Sequence, residues 1–121
     1  MLYCIVMAKK LSIKKKIEKY IIEACKRLNL SEWKIYINYA PIDKKSSAEV
    51  LPDSRYTNAT ITINKDYKFK NDNQIRETIY HECLHILLAH YVEKAEDRFI
   101  SEKELIDREE QLVERLLRII I

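Results

Sequence analysis

The stretch Asp72-Asn73-Gln74-Ile75-Arg76-Glu77-Thr78-Ile79-Tyr80-His81-Glu82-Cys83-Leu84-His85-Ile86-Leu87-Leu88-Ala89-His90 decides how this chain folds, because it holds neither proline nor glycine. Asp72 stands where an N-cap is needed, and a helix begun there runs unbroken into His81. Ile75, Ile79, Ile86 and Ala89 form one stripe, and Leu84, Leu87 and Leu88 cover much of the rest, the pattern of a central buried helix. Inside it sit His81, Glu82 and His85. Burying unpaired imidazole and carboxylate is costly, so these three need a partner.

His81-Glu82-Cys83-Leu84-His85 reads H-E-x-x-H. On a helix the two imidazoles lie one turn apart on the same face and can grip one zinc ion, with Glu82 beside them to take a proton from a water there. Chance supplies such a pattern in about one chain in a hundred of this composition, and its histidines would then be ordinary hydrogen-bonded core residues. All three histidines of the chain, His81, His85 and His90, fall in this one segment, which favours the metal. Cys83 occupies the motif's variable position and is expected to point away from the ion as a small core residue.

Catalytic zinc usually takes three protein ligands and keeps a position open. His90 is five residues past His85, about 140° around a straight helix, so it binds only if the helix ends or distorts there. The other source is a C-terminal helix. Ser101-Glu102-Lys103-Glu104 has the form of a capping box, and Leu105 to Ile121 runs without a breaker. Ile106, Val113, Leu117 and Ile120 mark a face that also carries Glu110, while Glu109 lies on the neighbouring line with Leu105, Leu112 and Leu116. Either glutamate is a candidate, the alternative being a solvated residue at the stripe's edge.

A motif helix followed by a second helix carrying Glu110-Gln111-Leu112-Val113-Glu114 resembles the gluzincin metallopeptidases, in which a glutamate helix supplies the third ligand. The whole chain is similar to their minimal, minigluzincin-like archaeal or phage-type members. The resemblance covers about Trp33 to the C-terminus and implies Glu110 as ligand, with His81 and His85, and Glu114 as the group supporting a motif histidine. The family often has Asp there, so Glu114 is a departure. The absence of glycine argues against metzincins, which need a Gly and a third His in an extended motif.

Length and charge fit that size class. One domain spanning 1–121 is expected, with no room for a separate substrate domain in 121 residues. A net charge of +3 gives no case for nucleic acid. Cys4, Cys25 and Cys83 form an odd set without C-x-x-C spacing, so no disulfide framework is indicated and a cytoplasmic location fits. Without glycine, turns needing positive φ fall to Asn or Asp, with Asn29, Asn58, Asn64, Asn71 and Asn73 placed for them.

The first seven residues are apolar but too short for a membrane span, and no basic residue precedes them as in a signal peptide. Met7 is an alternative start, and residues 1–11 are expected as an extra N-terminal strand or a tail. From Ser12 a helix is predicted, with Ile13, Ile17, Ile21, Ala24 and Leu28 on one face, lysines largely opposite and Asn29 capping its end. Strands follow at Trp33–Tyr39, Ser47–Leu51 and Ala59–Asn64. The expected fold class is α+β: an N-terminal helix, a small twisted mainly antiparallel sheet of about three strands, the motif helix and the glutamate helix. The gluzincin resemblance implies an edge strand above the zinc, onto which a peptide adds. Ala59–Asn64 is the candidate edge, a plain core strand being its other reading.

The expected function is zinc-dependent endopeptidase chemistry on a peptide or protein substrate, with Glu82 as general base and acid. Tyr56, Tyr67, Tyr80 and Tyr91 are candidate donors to the developing oxyanion. The alternatives are a latent or autoinhibited scaffold and a regulatory peptidase acting on one partner protein. Leu116 to Ile121 and the first seven residues are candidates for self-association or cleft blocking, or for completing the core.

Overall fold

The computed structural model describes the backbone of residues 2–42, 45–96 and 101–120; the side chains of residues 2–12, 90 and 93–96 lie outside the description. Among the described residues three helices and three strands follow in the order α1 (Leu2–Arg27), β1 (Lys34–Ala40), β2 (Ala48–Asp53), β3 (Asn58–Asn64), α2 (Asp72–Glu96) and α3 (Glu102–Ile120). This is the α+β class that the sequence implies.

The first helix is longer than expected. Residues 2–11 are helical rather than a strand or tail, so α1 begins ten residues before Ser12. Ile17, Ile21 and Ala24 are buried as one stripe, whereas Ile13 is half exposed. At the other end Asn29 takes φ 56°, and the Leu30 N–H donates to the Cys25 carbonyl at 2.8 Å. Such a left-handed close is usually made by glycine, and Asn tolerates it best among the other residues. Of the five asparagines expected to close turns only Asn29 has this role; the other positive-φ positions described are Lys45 and Thr57.

The sheet is mixed, in the order β1-β3-β2. Ser54 to Thr57 form a tight connection that folds β2 antiparallel onto β3, with Ala48 opposite Ile63 and Asp53 opposite Asn58. β1 flanks the other side of β3 and runs parallel to it, Lys34 opposite Asn58. Antiparallel pairing therefore covers one of the two ladders. β3 is the central strand and not the edge, and its Ala59, Ile61 and Ile63 are fully buried. The edge beside α2 is β2. Period-two alternation turns Tyr36, Thr60 and Leu51 to the outer face, where Tyr36 and Leu51 are exposed.

The inner face of the sheet shares one core with α1 and α2, built around Ile61, Ile17, Ile79 and Ile86. Burying four such side chains contributes on the order of 6–12 kcal/mol before chain entropy is counted. The cap of α2 is Asn71, not Asp72. Asn71 Oδ1 accepts from the Gln74 N–H at 2.9 Å, while Asp72 sits on the first turn and pairs with Lys16 at 2.8 Å. Asn and Asp cap almost equally well, so adjacent candidates are separated only by the incoming chain. In α3 the Ser101 Oγ accepts from the Glu104 N–H at 3.2 Å, the first half of the expected capping box. Glu104 then turns to Arg108 rather than back to the cap.

The C-terminal stripe completes the core. Val113 is fully buried, and Leu117 and Ile120 pack against the main cluster. Arg27 at the end of α1 donates to the Ile120 carbonyl at 3.0 Å, tying the two helix ends together. The first seven residues, the other apolar segment, have side chains outside the description, as does Ile121. No described helix is long and apolar enough to cross a membrane.

Candidate metal centre

The helical period brings His81 and His85 onto the face of α2 that meets α3, their ring centroids 4.9 Å apart. Their Nε2 atoms lie 3.2 Å from each other. From α3, Glu110 reaches the same point, with Oε1 at 2.8 Å from His85 Nε2 and Oε2 at 3.5 Å from His81 Nε2. His81, His85 and Glu110 each place a ligand atom within 4.8 Å of the others'. These three residues are a group that could hold a metal ion.

The outward nitrogens are also committed. His81 Nδ1 donates to Glu114 Oε1 at 3.0 Å, and His85 Nδ1 donates to Glu109 Oε1 at 3.0 Å. With both Nδ1 atoms used as donors, each neutral imidazole presents an Nε2 lone pair toward the other and toward the Glu110 carboxylate. Three electron-rich groups converging on one point repel unless a proton or a cation lies among them. Two imidazoles and one carboxylate, each imidazole braced from behind, is a donor set that suits a divalent transition metal.

Glu114 lies against the back of His81. Glu109, the alternative ligand, is instead turned to the back of His85, its side chain 16 % exposed. The side chain of His90 lies outside the described residues.

Glu82 is buried, 7 % exposed, and lines a cleft of about 690 Å³ together with both histidines. Burial pushes its carboxyl up to about 7; the charges of Glu110 and Glu49 push the same way, while His85 opposes them. Burial alone works against a charged His85, but the Glu109 hydrogen bond and the charges of Glu110, Glu109 and Glu82 outweigh it, so its pKa rises. The variable motif residue Cys83 is fully buried. Its thiol contacts that of Cys25, which with burial drives its pKa far up. It is a core residue, as expected, and both cysteines are free.

One wall of the cleft is β2, from Ala48 to Pro52, and the other is α2 and α3, with Ala89, Val92 and Ile106 making its apolar end. The polar end runs past Ser46, Ser47 and Thr78 to Tyr67 and Glu114. Of the four candidate tyrosines, Tyr67 lines this polar end beside His81 and Glu82. Its hydroxyl accepts from Gln74 Nε2 at 2.8 Å, which leaves its own proton to donate. Tyr80 is fully buried, with Arg27 and Arg76 over its ring, so it does not reach the cleft. Tyr56 is exposed on the β2–β3 connection and Tyr91 is exposed on α2; neither lines the cleft.

Sequence reasoning missed two contributors. Glu49 on β2 adds charge beside Glu82. Of the two readings of Ala59–Asn64, candidate edge or plain core strand, the second holds, and the edge is β2, which Pro52 marks as the strand that leaves its N–H side unpaired. Comparison of the chain with protein-family models, curated proteins and solved structures yields no match.

Proposed function

We propose that the chain is a zinc-dependent endopeptidase of the small gluzincin type. The observation that carries this reading is the convergence of His81 Nε2, His85 Nε2 and Glu110 beside the buried Glu82 on a cleft walled by a strand edge. His81, His85 and Glu110 would hold the ion, with Glu114 and Glu109 fixing the histidine tautomers. Zinc bound there supplies Lewis acidity toward a water and a peptide carbonyl.

The remaining chemistry belongs to the chain. Glu82, held at about 7 by burial, is suited to take a proton from the attacking water and return it to the leaving amine, since such a carboxyl gains and loses protons readily near neutral pH. Tyr67, with its hydroxyl proton free of Gln74, is the tyrosine placed to meet charge developing on the carbonyl oxygen. The β2 edge receives the substrate as an extended strand, through backbone hydrogen bonds.

Incubation of the zinc-loaded chain with a mixture of unstructured peptides, read by mass spectrometry for new termini, tests the proposal. Cleavage is expected from the wild type and is expected to vanish in Glu82→Gln, which keeps the metal. Absence of cleavage by the zinc-loaded wild type, or undiminished cleavage by Glu82→Gln, overturns it.

A further inference from the structure

The hydrogen-bonding parity of β2 can be read from one contact. The Asn64 N–H donates to the Ser47 carbonyl at 2.9 Å, and the register that sets Ala48 opposite Ile63 sets Ser47 opposite Asn64. Bonded and non-bonded pairs alternate along an antiparallel ladder. Glu49 and Leu51 therefore exchange bonds with Thr62 and Thr60, whereas Ala48, Val50 and Pro52 turn their backbone groups away from β3. Pro52 confirms the parity, because at a bonded position its missing N–H would break the ladder. No other described strand pairs with this side of β2, and the strand lines the cleft.

The open edge is closed off at both ends. β2 begins at Ala48, and before it the Ser46 carbonyl is turned to Asn64 Nδ2, from which it accepts at 2.9 Å. Asn64 is 7 % exposed and also accepts the Asp66 N–H at 3.0 Å through Oδ1, so its amide is fixed in orientation. At the other end Pro52 offers a carbonyl but no N–H. Between these stops Ala48 and Val50 each present a donor and an acceptor, and Pro52 adds one acceptor.

We propose that this edge accepts about five extended residues of substrate, roughly 14 Å of chain, and that Asn64 and Pro52 set the two ends of that ladder. The inference rests on reading the cleft as a peptide site. The substrate class that follows is a short unstructured segment, a loop or a disordered tail, held by its backbone over the span from Ala48 to Pro52. Residues beyond that span are not gripped by the strand and add nothing to affinity through it.

The test uses fluorescein-labelled peptides of about three to ten residues, binding to the zinc-loaded Glu82→Gln protein, read by anisotropy. Affinity is expected to rise up to about five residues and then level. Pro52→Val restores an N–H at a position that does not disturb β3, and is expected to tighten the longer peptides about fivefold. A scan of single backbone N-methylations across one peptide needs no protein variant, and is expected to weaken binding about fivefold at alternate positions only. Affinity that climbs steadily with length, no alternation in the scan, or no binding of any peptide overturns the inference. Cleavage of the same peptides by the wild type is scored separately. Cleavage without a length plateau removes the ladder limit and keeps the peptidase reading, whereas a plateau without cleavage does the reverse.

Discussion

Glu109 holds His85 from behind, its Oε1 lying 3.0 Å from His85 Nδ1, while the opposite ring nitrogen faces Glu110 at 2.8 Å. Two consecutive glutamates thus reach opposite sides of one imidazole. The division of labour between them follows from which nitrogen each one meets. Glu109 fixes the tautomer and increases the basicity of Nε2, and Glu110 completes the donor set.

That division predicts unequal losses of metal. Glu109→Ala leaves three ligands in place and is expected to lower zinc affinity about 10–100-fold, the usual effect of removing a group that orients a ligand. Glu110→Ala removes a ligand and is expected to cost more than Glu109→Ala. Competition with a chromophoric chelator measures both, and a larger loss in Glu109→Ala would reverse the assignment.

The metal-free protein is expected to have an inverted pH response. Burial raises Glu82 from 4.5 to about 7, and the Glu109 contact helps raise His85 above 6.5. Both groups keep protons in the folded chain at pH values where the unfolded chain has lost them. Folded molecules bind more protons there, so stability falls as pH rises. His85 stabilises most below 6.5 and loses that contribution as pH passes its raised value. Glu82 costs nothing below its unfolded value and an increasing amount from there to about 7. The melting temperature of the chelator-treated protein is expected to drop by several degrees between about pH 5 and pH 7.5, and Glu82→Gln is expected to flatten much of that slope. A rising melting temperature across this interval would contradict it.

The motif helix and the glutamate helix were legible because each rests on periodicity within one segment. Val113, Leu117 and Ile120 share a stripe with Glu110 whatever the rest of the chain does, and the capping Ser101 fixes where that stripe begins. Strand order was not legible. Thr60 and Thr62 alternate with Ile61 and Ile63 as on an edge or a central strand, and the parallel partner of β3 lies far back in the sequence at Lys34–Ala40. Pro52, together with the charge of Glu49 on the same strand, was the signal that distinguishes the edge. Periodicity alone left Glu109 and Glu110 both open as the ligand, and only the resemblance pointed to Glu110, because adjacent helical positions differ by about 100° and the partner helix decides which one meets His85 Nε2 and which one Nδ1.

Thr57 is a site where the chain is under strain. A β-branched residue at φ 49° is disfavoured, at a cost of order 1–2 kcal/mol. Its Oγ1 donates to the Tyr56 carbonyl at 2.8 Å, and its carbonyl accepts from the Lys34 N–H at 2.9 Å, which ties the β2–β3 connection to β1. Glycine keeps the backbone bond and relieves the φ strain, at the expense of the side-chain bond and a looser unfolded chain. Thr57→Gly is expected to stabilise the fold by about 0.5–1 kcal/mol. Urea unfolding measures this, and a lower midpoint at unchanged slope would mean that the Thr57 hydroxyl contributes more than the strain costs.

Zinc is expected to act on stability through the same residues. A ligand that binds only the folded state stabilises it by about 2.7 kcal/mol at a hundred times its dissociation constant, and for a domain of this size that is about 8–10 °C in melting temperature. Because the ion competes with protons at His81 and His85, the rise is expected to grow with pH, opposite to the slope of the metal-free protein. In Glu110→Ala the shift at equal free zinc is expected to shrink sharply, whereas Glu82→Gln is expected to retain it, since Glu82 faces the cleft without ligating. Calorimetry at two pH values with buffered zinc gives all of these quantities. A full-sized shift in Glu110→Ala would show that the metal is held elsewhere on the chain.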